Sequence, residues 1–341
     1  MTDKGKDGQT EISSPPFDGI SSVKFSPTDP NHLLVASWDT TVRFYDTAAN
    51  EQKIKFDHRA AVLDCCFASD GKHGFSGGLD TSVRELDLET EKFRHLGQHD
   101  AAVSQVCFSK ETNQLISGSW DCTLRFWDPR AETSTSAPVE TLNLPERVYC
   151  MDITNNFLVV GMASRLFHIY DLRQTKKLWQ ERESSLKFLT RSVACMSDGK
   201  GYATSSVEGR IAVEYFDTSA QGEKYAFKSH RQTINGEDHV WPVNALVFHP
   251  LYNTFASGGS DGSISIWDHK SRKRFKQYPR YPAPVTSLSF NCDGTKLAAG
   301  MSYNWDEGAD GAASLSDSTG ESPSPKIWIR ETADDWKPKG M

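Results

Sequence analysis

Apolar and polar residues alternate along much of the chain with the two-residue period of a β-strand. The runs 62–67, 103–108 and 243–248 have the pattern of strands that bury one face. Each run is followed by a second strand, a tight turn and a third strand, and the turn carries Asp80, Asp121 or Asp261. A fourth strand must follow to complete the unit. The pattern therefore predicts an all-β chain built from four-stranded repeats.

The repeats close on an aspartate that often follows a tryptophan, which is the signature of WD repeats of about 40 residues. A unit of this size cannot bury its own faces and must stack on its neighbours. A seventh, degenerate unit begins at residue 284 and ends with a strand at 326–330. We therefore predict a seven-bladed β-propeller, with closing aspartates at Asp46, Asp87, Asp128, Asp171, Asp217 and Asp268.

The repeats account for nearly the whole chain, so we predict a single propeller over residues 10–330. Residues 10–14 are expected to form the outer strand of the last blade and to close the ring. Residues 1–9 and the insert 308–325, which is rich in Gly, Ser, Asp and Pro, have the composition of disordered segments. Residues 331–341 are predicted to be a C-terminal tail.

Each of the three regular repeats carries a histidine 22 residues before its turn aspartate and a serine four residues before it. The set imitates a Ser-His-Asp triad, but three copies at equivalent positions cannot all be active sites. A hydrogen-bonded network inside each blade instead satisfies buried polar groups. We assign these structural networks to His58 and Asp80, to His99, Ser117 and Asp121, and to His239, Ser257 and Asp261.

Composition excludes several other classes of protein. A net charge of −7 argues against general nucleic-acid binding, and the chain has neither an 18-residue apolar run nor a secretory leader. Its seven cysteines lack a metal-type C-x-x-C pair and are expected to be buried thiols in a reducing compartment. Phosphate-binding, nucleophile-elbow and zinc-protease motifs are missing. We predict a non-enzymatic binding protein without cofactor or metal.

Two features depart from the repeat and are therefore candidates for function. Trp38 and Trp120 each precede a turn aspartate, where a large aromatic has little structural reason to be and could anchor a partner peptide. The fifth repeat has glutamates in place of the turn aspartate and of the tryptophan, so we predict that the regular network does not form there. The same repeat concentrates positive charge suited to a carboxylate or phosphate ligand, at Arg191, Arg210, Lys228, His230 and Arg231.

Four segments, 18–26, 206–215, 224–231 and 242–249, resemble the WD-repeat protein of the budding-uninhibited-by-benzimidazole group, the non-kinase member of the mitotic spindle checkpoint. The likeness covers residues 17–303. It implies a monomeric, nuclear propeller that acts at the kinetochore in mitosis. Such an adaptor binds a short linear motif of the checkpoint kinase and of its pseudokinase-like relative, and recruits them to phosphorylated Met-Glu-Leu-Thr repeats of a kinetochore scaffold. The resemblance implies no direct contact with nucleic acid or membrane.

Carried over by position, the resemblance implies a partner-motif site and a phosphothreonine site. The chain departs from the family pattern at Ser229, where cysteine is usual, at Trp241, where tyrosine is usual, and in the insert 308–325. His230, Arg231 and Trp241 are further candidate peptide contacts. The partner-motif site is assigned to Trp38, Trp120 and Arg191, and the phosphothreonine site to Arg210 and Lys228.

Two other functions compete with this interpretation. A sister family of nuclear-pore propellers serves messenger-RNA export and binds a related motif with a similar face. Residues 115–130 also resemble the Trp-Asp-x-Arg box that docks the adaptor of a cullin-type ubiquitin ligase, and Asp171 and Arg173 repeat its end. The alternative for Arg130 is simple packing on the next blade. Capture of partners from mitotic and interphase extracts distinguishes the checkpoint function from messenger-RNA export. Loss of adaptor binding in an Arg130 variant tests the ubiquitin-ligase function.

Overall fold

Seven four-stranded antiparallel sheets form a ring in the computed structural model, which describes residues 8–131, 137–314, 324–332 and 336–338. The predicted seven-bladed β-propeller is thus confirmed. In the first six blades the strands follow chain order from the inner to the outer edge. The seventh blade combines the first strand of the chain with the last three, and thereby joins the two ends of the chain.

The strands of the first half of the chain are short and regularly spaced. β1 Gln9–Glu11 belongs to the seventh blade. Blades 1 and 2 contain β2 Ile20–Phe25, β3 His32–Ser37, β4 Thr41–Asp46, β5 Glu51–Asp57, β6 Val62–Phe67, β7 His73–Gly78, β8 Ser82–Asp87 and β9 Lys92–Gln98. Blades 3 and 4 contain β10 Val103–Ser109, β11 Gln114–Ser119, β12 Thr123–Trp127, β13 Glu140–Asn143, β14 Val148–Thr154, β15 Phe157–Met162, β16 Leu166–Asp171 and β17 Leu178–Glu183.

The second half of the chain adds a hairpin between two blades and a short helix. Blade 5 contains β18 Thr190–Cys195, β19 Gly201–Ser206, β20 Arg210–Tyr215 and β21 Tyr225–Lys228, and the hairpin β22 Arg231–Ile234 and β23 Glu237–Val240 follows it. Blade 6 contains β24 Val243–Phe248, β25 Phe255–Gly259, β26 Ile264–Asp268 and β27 Lys273–Gln277. Blade 7 is completed by β28 Val285–Phe290, β29 Lys296–Met301 and β30 Lys326–Glu331, with α1 Gly308–Ser314 between the last two.

Apolar side chains pack between neighbouring blades, as the two-residue period requires. In β4 of blade 1, Val42 and Phe44 face blade 2 and contact a cluster that includes Val62. Tyr45, the next residue of the strand, belongs to the opposite cluster, which contains Ile329 of blade 7. Each sheet therefore supplies half of two interfaces, so no blade can be stable without its neighbours.

Polar side chains on the inner strands also connect the blades. The Asp64 carboxylate accepts a hydrogen bond from the Val106 amide of blade 3 at 3.0 Å, and the Asp152 carboxylate accepts one from the Cys195 amide of blade 5 at 2.6 Å. Burial raises the pKa of both carboxyls, although Lys24 in the same channel acts against the shift. These bonds join inner strands that share no backbone hydrogen bonds.

Two of the three predicted networks form as expected. The Asp121 carboxylate bonds Nδ1 of His99 at 2.9 Å, and Nε2 of His99 lies 2.7 Å from the Ser117 hydroxyl. The Ser117 oxygen also accepts the indole N–H of Trp127 at 2.8 Å. Blade 2 repeats the His-Ser-Asp part, with 3.0 Å between His58 and Asp80 and 2.9 Å between His58 and Ser76, but has Leu86 at the tryptophan position. Both histidine side chains are fully buried.

The third network contains a different histidine. Asp261 and Ser257 bond Nδ1 and Nε2 of His230, both at 2.8 Å. His239 instead lies on the exposed strand β23, where its ring stacks on Trp241 with centroids 5.8 Å apart. The assignment of His239 was wrong because the hairpin β22–β23 inserts residues between the true network histidine and its aspartate, so that a second histidine acquires the 22-residue spacing.

The register of blade 5 corrects another position. Tyr215 pairs with Gly201 at the base of β19, just as Asp87 pairs with His73 in blade 2. Tyr215 therefore occupies the closing position, and Asp217 lies two residues further on, where its carboxylate accepts the Ser219 amide at 2.8 Å. The prediction that Asp217 closes the blade was wrong.

Blade 5 replaces the usual network with another one. Glu214, at the tryptophan position, is buried and accepts hydrogen bonds from Tyr202 at 3.1 Å and from Ser185 at 2.7 Å. Arg182 approaches its carboxylate at 3.5 Å. Thr204, which stands where blades 2, 3 and 6 have serine, has a buried hydroxyl without a partner among the described residues. The absence of the regular network in this blade was predicted, and the substitute network was not.

The chain ends and the insert differ in part from the predictions. β1 pairs with β30 as the outer strand of blade 7, so ring closure is confirmed, but the strand is Gln9–Glu11 and not 10–14, and Gln9 belongs to the segment predicted to be disordered. Residues 308–314 of the predicted disordered insert form α1, which corrects that part of the prediction, whereas residues 315–323 lie outside the described residues. Trp336 of the predicted tail is fully buried beside Phe290. Part of the C-terminal segment is therefore docked on blades 6 and 7.

Candidate peptide-binding face

One face of the ring carries most of the exposed apolar side chains. Because consecutive strands are antiparallel, the turns between second and third strands lie on the same side as the connections between blades; we call this side the turn face. Within the described residues, seven of the eleven exposed large apolar side chains lie there, namely Phe17, Trp38, Trp120, Phe188, Leu189, Val240 and Trp305. An apolar patch on one face of a water-exposed ring is typical of a protein-binding surface.

The predicted anchor Trp38 borders a cavity of about 520 Å³ at the mouth of the central channel. Its side chain is 49% exposed and its amide donates to the Gly19 carbonyl at 2.8 Å. A Cβ on Gly19 would lie 3.3 Å from Cδ1 of Trp38, so glycine leaves room for the indole ring. Trp305 also lines the cavity. The cavity is thus bordered by two aromatic rings.

Arg191 lies in the same cavity as Trp38, as the partner-motif prediction requires. The register of β18 and β19 shifts at Arg191, so this residue is the extra one of a β-bulge, a device that redirects a side chain. Its guanidinium is ion-paired with Asp306 through Nη2, whereas its buried Nε has no hydrogen-bond partner among the described residues. The site therefore contains an unused donor.

The same bulge occurs in the inner strands of other blades. Ser21, Asn244 and Thr286 are the extra residues in blades 1, 6 and 7, and all three line the cavity. The Asn244 amide group donates to Ser260 at 3.0 Å and to the Val285 carbonyl at 3.1 Å, while its buried Oδ1 accepts nothing among the described residues. Among these bulge residues, the Nε donor of Arg191 and the Oδ1 acceptor of Asn244 thus remain unpaired at the channel mouth.

Trp120 occupies the turn of blade 3 that corresponds to Trp38 in blade 1. It is 41% exposed and its amide donates to the Ala102 carbonyl at 3.0 Å. Trp120 lies on the turn face but does not border the cavity around Arg191. The two predicted anchors therefore share a face and belong to separate parts of it, which suits an extended peptide rather than a compact ligand.

The two residues predicted to bind phosphothreonine are direct neighbours. Arg210 and Lys228 are opposite each other in the antiparallel pair β20–β21, so their side chains project from the same side of the sheet. Lys228 is exposed, and the Arg210 side chain is 35% exposed, with its Nε 3.6 Å from the Glu208 carboxylate. The pair presents two cations at the turn-face edge of blade 5.

The further candidate contacts have structural partners. His230 is buried in the network of blade 6, so the prediction that it contacts a peptide is wrong. The guanidinium of Arg231 donates to the Glu208 and Gly209 carbonyls and ties the hairpin to the turn before β20. Trp241 stacks on His239, and the Arg280 guanidinium lies 5.2 Å from its ring centre. These contacts shape the hairpin.

The arginine of the Trp-Asp-x-Arg box lies on the opposite face of the ring. The guanidinium of Arg130 pairs within its own blade, among the described residues, and not with the next blade as the simpler alternative suggested. It bonds the carboxylate of its own Asp128 through Nε at 2.9 Å and Nη2 at 3.0 Å, and its side chain is 68% exposed. Arg173 makes the same fork with Asp171. Each fork lowers the pKa of the aspartate carboxyl.

Sequence reasoning missed Trp305, Ser260 and Asn244. For Trp305 a signal was present, because Trp305 and Asp306 form a third Trp-Asp pair between a second and a third strand. For Asn244 none was available, since a bulge is defined only by strand pairing. The described ranges contain no group of three or more His, Cys, Asp or Glu side chains suited to a metal ion, and no helix in them is long and apolar enough to cross a membrane.

Comparison with known proteins shows what this chain is similar to. The family model described as "WD domain, G-beta repeat" matches residues 10–46, 50–85, 90–128 and 228–268. The chain is 47% identical over 301 residues to "Mitotic checkpoint protein BUB3.1" of Arabidopsis thaliana, with 87% of this chain and 88% of that protein covered. It is 45% identical over 302 residues to "Mitotic checkpoint protein bub3" of Dictyostelium discoideum, with 87% and 90% covered.

An RNA-export protein is also similar. Over 310 residues the chain is 36% identical to "mRNA export factor GLE2" of Chaetomium thermophilum, with 88% of this chain and 86% of that protein covered. The matches to checkpoint and to export proteins both extend over most of the ring, so they describe the complete propeller and not a single repeat.

Proposed function

The chain belongs to the Bub3 family of mitotic checkpoint proteins, and from this membership we propose that it is a non-catalytic adaptor of the spindle assembly checkpoint. It binds a linear motif of the checkpoint kinase and of its pseudokinase-like relative, and it recruits them to phosphorylated Met-Glu-Leu-Thr repeats of a kinetochore scaffold. Its site of action is the nucleus and, in mitosis, the kinetochore. The identities of 47% and 45% over most of the chain support the checkpoint role.

The observation that carries the kinase-motif part is the cavity that joins Trp38 to Arg191. An exposed indole beside a guanidinium with an unused buried Nε suits a peptide that offers an apolar side chain and a carboxylate close together. Trp120 extends the apolar surface on the same face. We assign the motif's acidic residue to Arg191 and its apolar residues to the two tryptophans.

The phosphopeptide part depends on Arg210 and Lys228. A phosphothreonine carries nearly two negative charges near neutral pH and accepts several charge-assisted hydrogen bonds. Two adjacent cations on an exposed strand pair match that charge, and the guanidinium can bind two phosphate oxygens at once. The Glu208 carboxylate 3.6 Å from Arg210 holds the guanidinium at the sheet edge without burying it.

A pair of titrations with two double variants tests the proposal. Replacing Arg210 and Lys228 with alanine should abolish the preference for phosphorylated over plain Met-Glu-Leu-Thr peptide and leave kinase-motif binding intact. Replacing Trp38 and Trp120 with alanine should weaken the kinase motif by about 2 kcal/mol or more and spare the phosphopeptide. Raising the salt concentration should weaken the phosphopeptide more than the motif.

Either of two results would contradict the assignment. A preference for phosphopeptide that survives the Arg210 and Lys228 double variant would place the phosphate elsewhere. Loss of both ligands in one variant, with an unchanged circular dichroism spectrum, would mean that the two sites are not separate.

Messenger-RNA export is the second candidate function. The 36% identity to GLE2 supports it, because that match covers as much of the chain as the checkpoint matches. The same face would then bind a nucleoporin motif. Capture from mitotic and interphase extracts, with quantification of checkpoint kinase and nucleoporin, decides between the two, and capture of nucleoporin alone would favour export.

A further inference from the structure

The acidic residue that pairs with Arg191 comes from the chain itself. One Asp306 carboxylate oxygen is ion-paired with Arg191, and the other accepts a hydrogen bond from the Ser260 hydroxyl at 2.7 Å. Ser260 in turn accepts from the Asn244 amide group at 3.0 Å. Arg191, Ser260 and Asn244 therefore form a cradle for one carboxylate, contributed by blades 5 and 6, and a side chain from blade 7 occupies it.

The segment that carries Asp306 is braced from within. The Tyr303 hydroxyl donates to the Gly308 carbonyl at 2.8 Å and accepts from the Glu307 amide at 3.2 Å. Trp305 has a φ of 57°, a left-handed conformation that is unusual for an aromatic residue and turns the chain sharply. Strain of this kind is maintained where a side chain is held in a particular place, here the carboxylate at the channel mouth.

Asp306 uses the cradle only in part. It is bound to Nη2 of Arg191, while the buried Nε of the same guanidinium has no partner among the described residues. A carboxylate from a peptide lying in the cavity could form the two parallel bonds that a guanidinium favours. A ligand carboxylate can therefore be held better than the internal one.

We propose that Asp306 is an internal competitor for the carboxylate site formed by Arg191, Ser260 and Asn244, and that a glutamate of the partner motif displaces it on binding. This inference rests on the proposed function, since it names the contact by which the motif enters. Displacement moves the segment that carries Trp305, whose side chain is 64% exposed and lines the same cavity as Trp38. Asp306 thus lowers the affinity of the site for acidic motifs, because a motif must displace it in order to bind.

Isothermal titration with a synthetic peptide of the checkpoint-kinase motif tests this contact. Asp306→Asn removes the competing charge with little change of shape, and we expect about two- to fivefold tighter binding, the gain when a partly exposed ion pair no longer has to be broken. Asp310→Asn is the matched control, because Asp310 is an exposed aspartate of the same segment and its substitution removes the same charge. It should leave affinity unchanged.

Two further titrations test whether the gain depends on Arg191 and on the glutamates of the motif. In an Arg191→Ala background, Asp306→Asn should give no gain, because the contact that it releases is already lost. A peptide in which the motif's glutamates are replaced by glutamine should gain nothing from Asp306→Asn either. Binding to Asp306→Asn that is no tighter than to Asp310→Asn would overturn the inference and leave the proposed function standing. Failure of the peptide to bind the parent and every variant would overturn both.

Discussion

At the scale of single residues, each regular blade is organised by one chain of hydrogen bonds. The Trp127 indole donates to Ser117, the serine hydroxyl can donate to Nε2 of His99, and Nδ1–H of His99 then donates to Asp121. This assignment needs a neutral histidine, and burial does lower the pKa of His99. The chain satisfies every member at once, so loss of one member leaves the others unpaired.

The first prediction concerns the end of that chain. Asp121→Ala should lower the free energy of unfolding by about 1 to 3 kcal/mol, because His99 and the Thr123 hydroxyl lose their buried acceptor. Urea-induced unfolding measures the change. Asp100→Ala is the control, since the Asp100 side chain is 85% exposed. Equal stabilities for the two variants would contradict the network.

The second prediction concerns the stability of the fold at acidic pH. Burial opposes ionisation of Asp80, but the hydrogen bond and charge of His58 outweigh burial and hold its pKa at about 2. Because the folded-state pKa lies below the ordinary value of 3.8, this stabilisation is complete above about pH 4 and is lost as the pH falls through the folded value. The stability difference between the parent and Asp80→Asn should shrink between about pH 4 and about pH 2 in urea titrations, the window set by the two pKa values. A constant difference would exclude the linkage.

At the scale of elements, the hairpin β22–β23 shows how an insertion can displace a sequence pattern. It separates His230 from Asp261 by 31 residues, yet the contact between them has the same geometry as in blades 2 and 3. The stacked His239 and Trp241 belong to the inserted hairpin, which projects from the turn face. The hairpin is therefore an addition to the blade and leaves its network unchanged.

The third prediction tests this correction with a substitution at each of the two histidines. His230→Ala should destabilise the fold by about 1 to 3 kcal/mol, because Ser257 and Asp261 lose a buried partner. His239→Ala removes an exposed ring and should change stability by less than about 0.5 kcal/mol. Melting temperatures compare the two variants. The reverse order would restore His239 to the network.

At the scale of the whole molecule, β1 closes the ring by joining the start of the chain to its end. Gln9 pairs with Arg330 and Glu11 with Trp328, and the Ile12 amide donates to the Ile327 carbonyl at 2.9 Å. A propeller depends on closure because each blade buries its faces only against two neighbours. The first residues of the chain therefore contribute to the stability of the last blade.

The fourth prediction follows from this closure. A chain that starts at Ser13 lacks β1 and the fully buried Ile12, whose burial alone contributes about 2 kcal/mol, and should melt at a clearly lower temperature. A chain that starts at Gly8 keeps both and serves as the control. Calorimetry of the two proteins gives the comparison, and equal melting temperatures would mean that the ring does not need this strand.

The sequence by itself determined the number of blades and the four strands of each, though not the hairpin β22–β23 or α1. Strand periodicity and the recurring Trp-Asp ends are local signals, and a unit that cannot bury both faces implies a ring of neighbours. The exposed turn tryptophans Trp38 and Trp120 were predictable for the same reason, because the repeat defines which position lies on a turn.

Only the tertiary structure decided which residues meet across blades. Spacing could not choose between His230 and His239, since an inserted hairpin changes distance along the chain without changing distance in space. Nor could it reveal that Arg191 and Asn244 occupy bulges, or that Asp306 reaches Arg191 from a sequence distance of 115 residues. Contacts of this kind depend on strand register and ring closure, which arise only when all seven blades pack together.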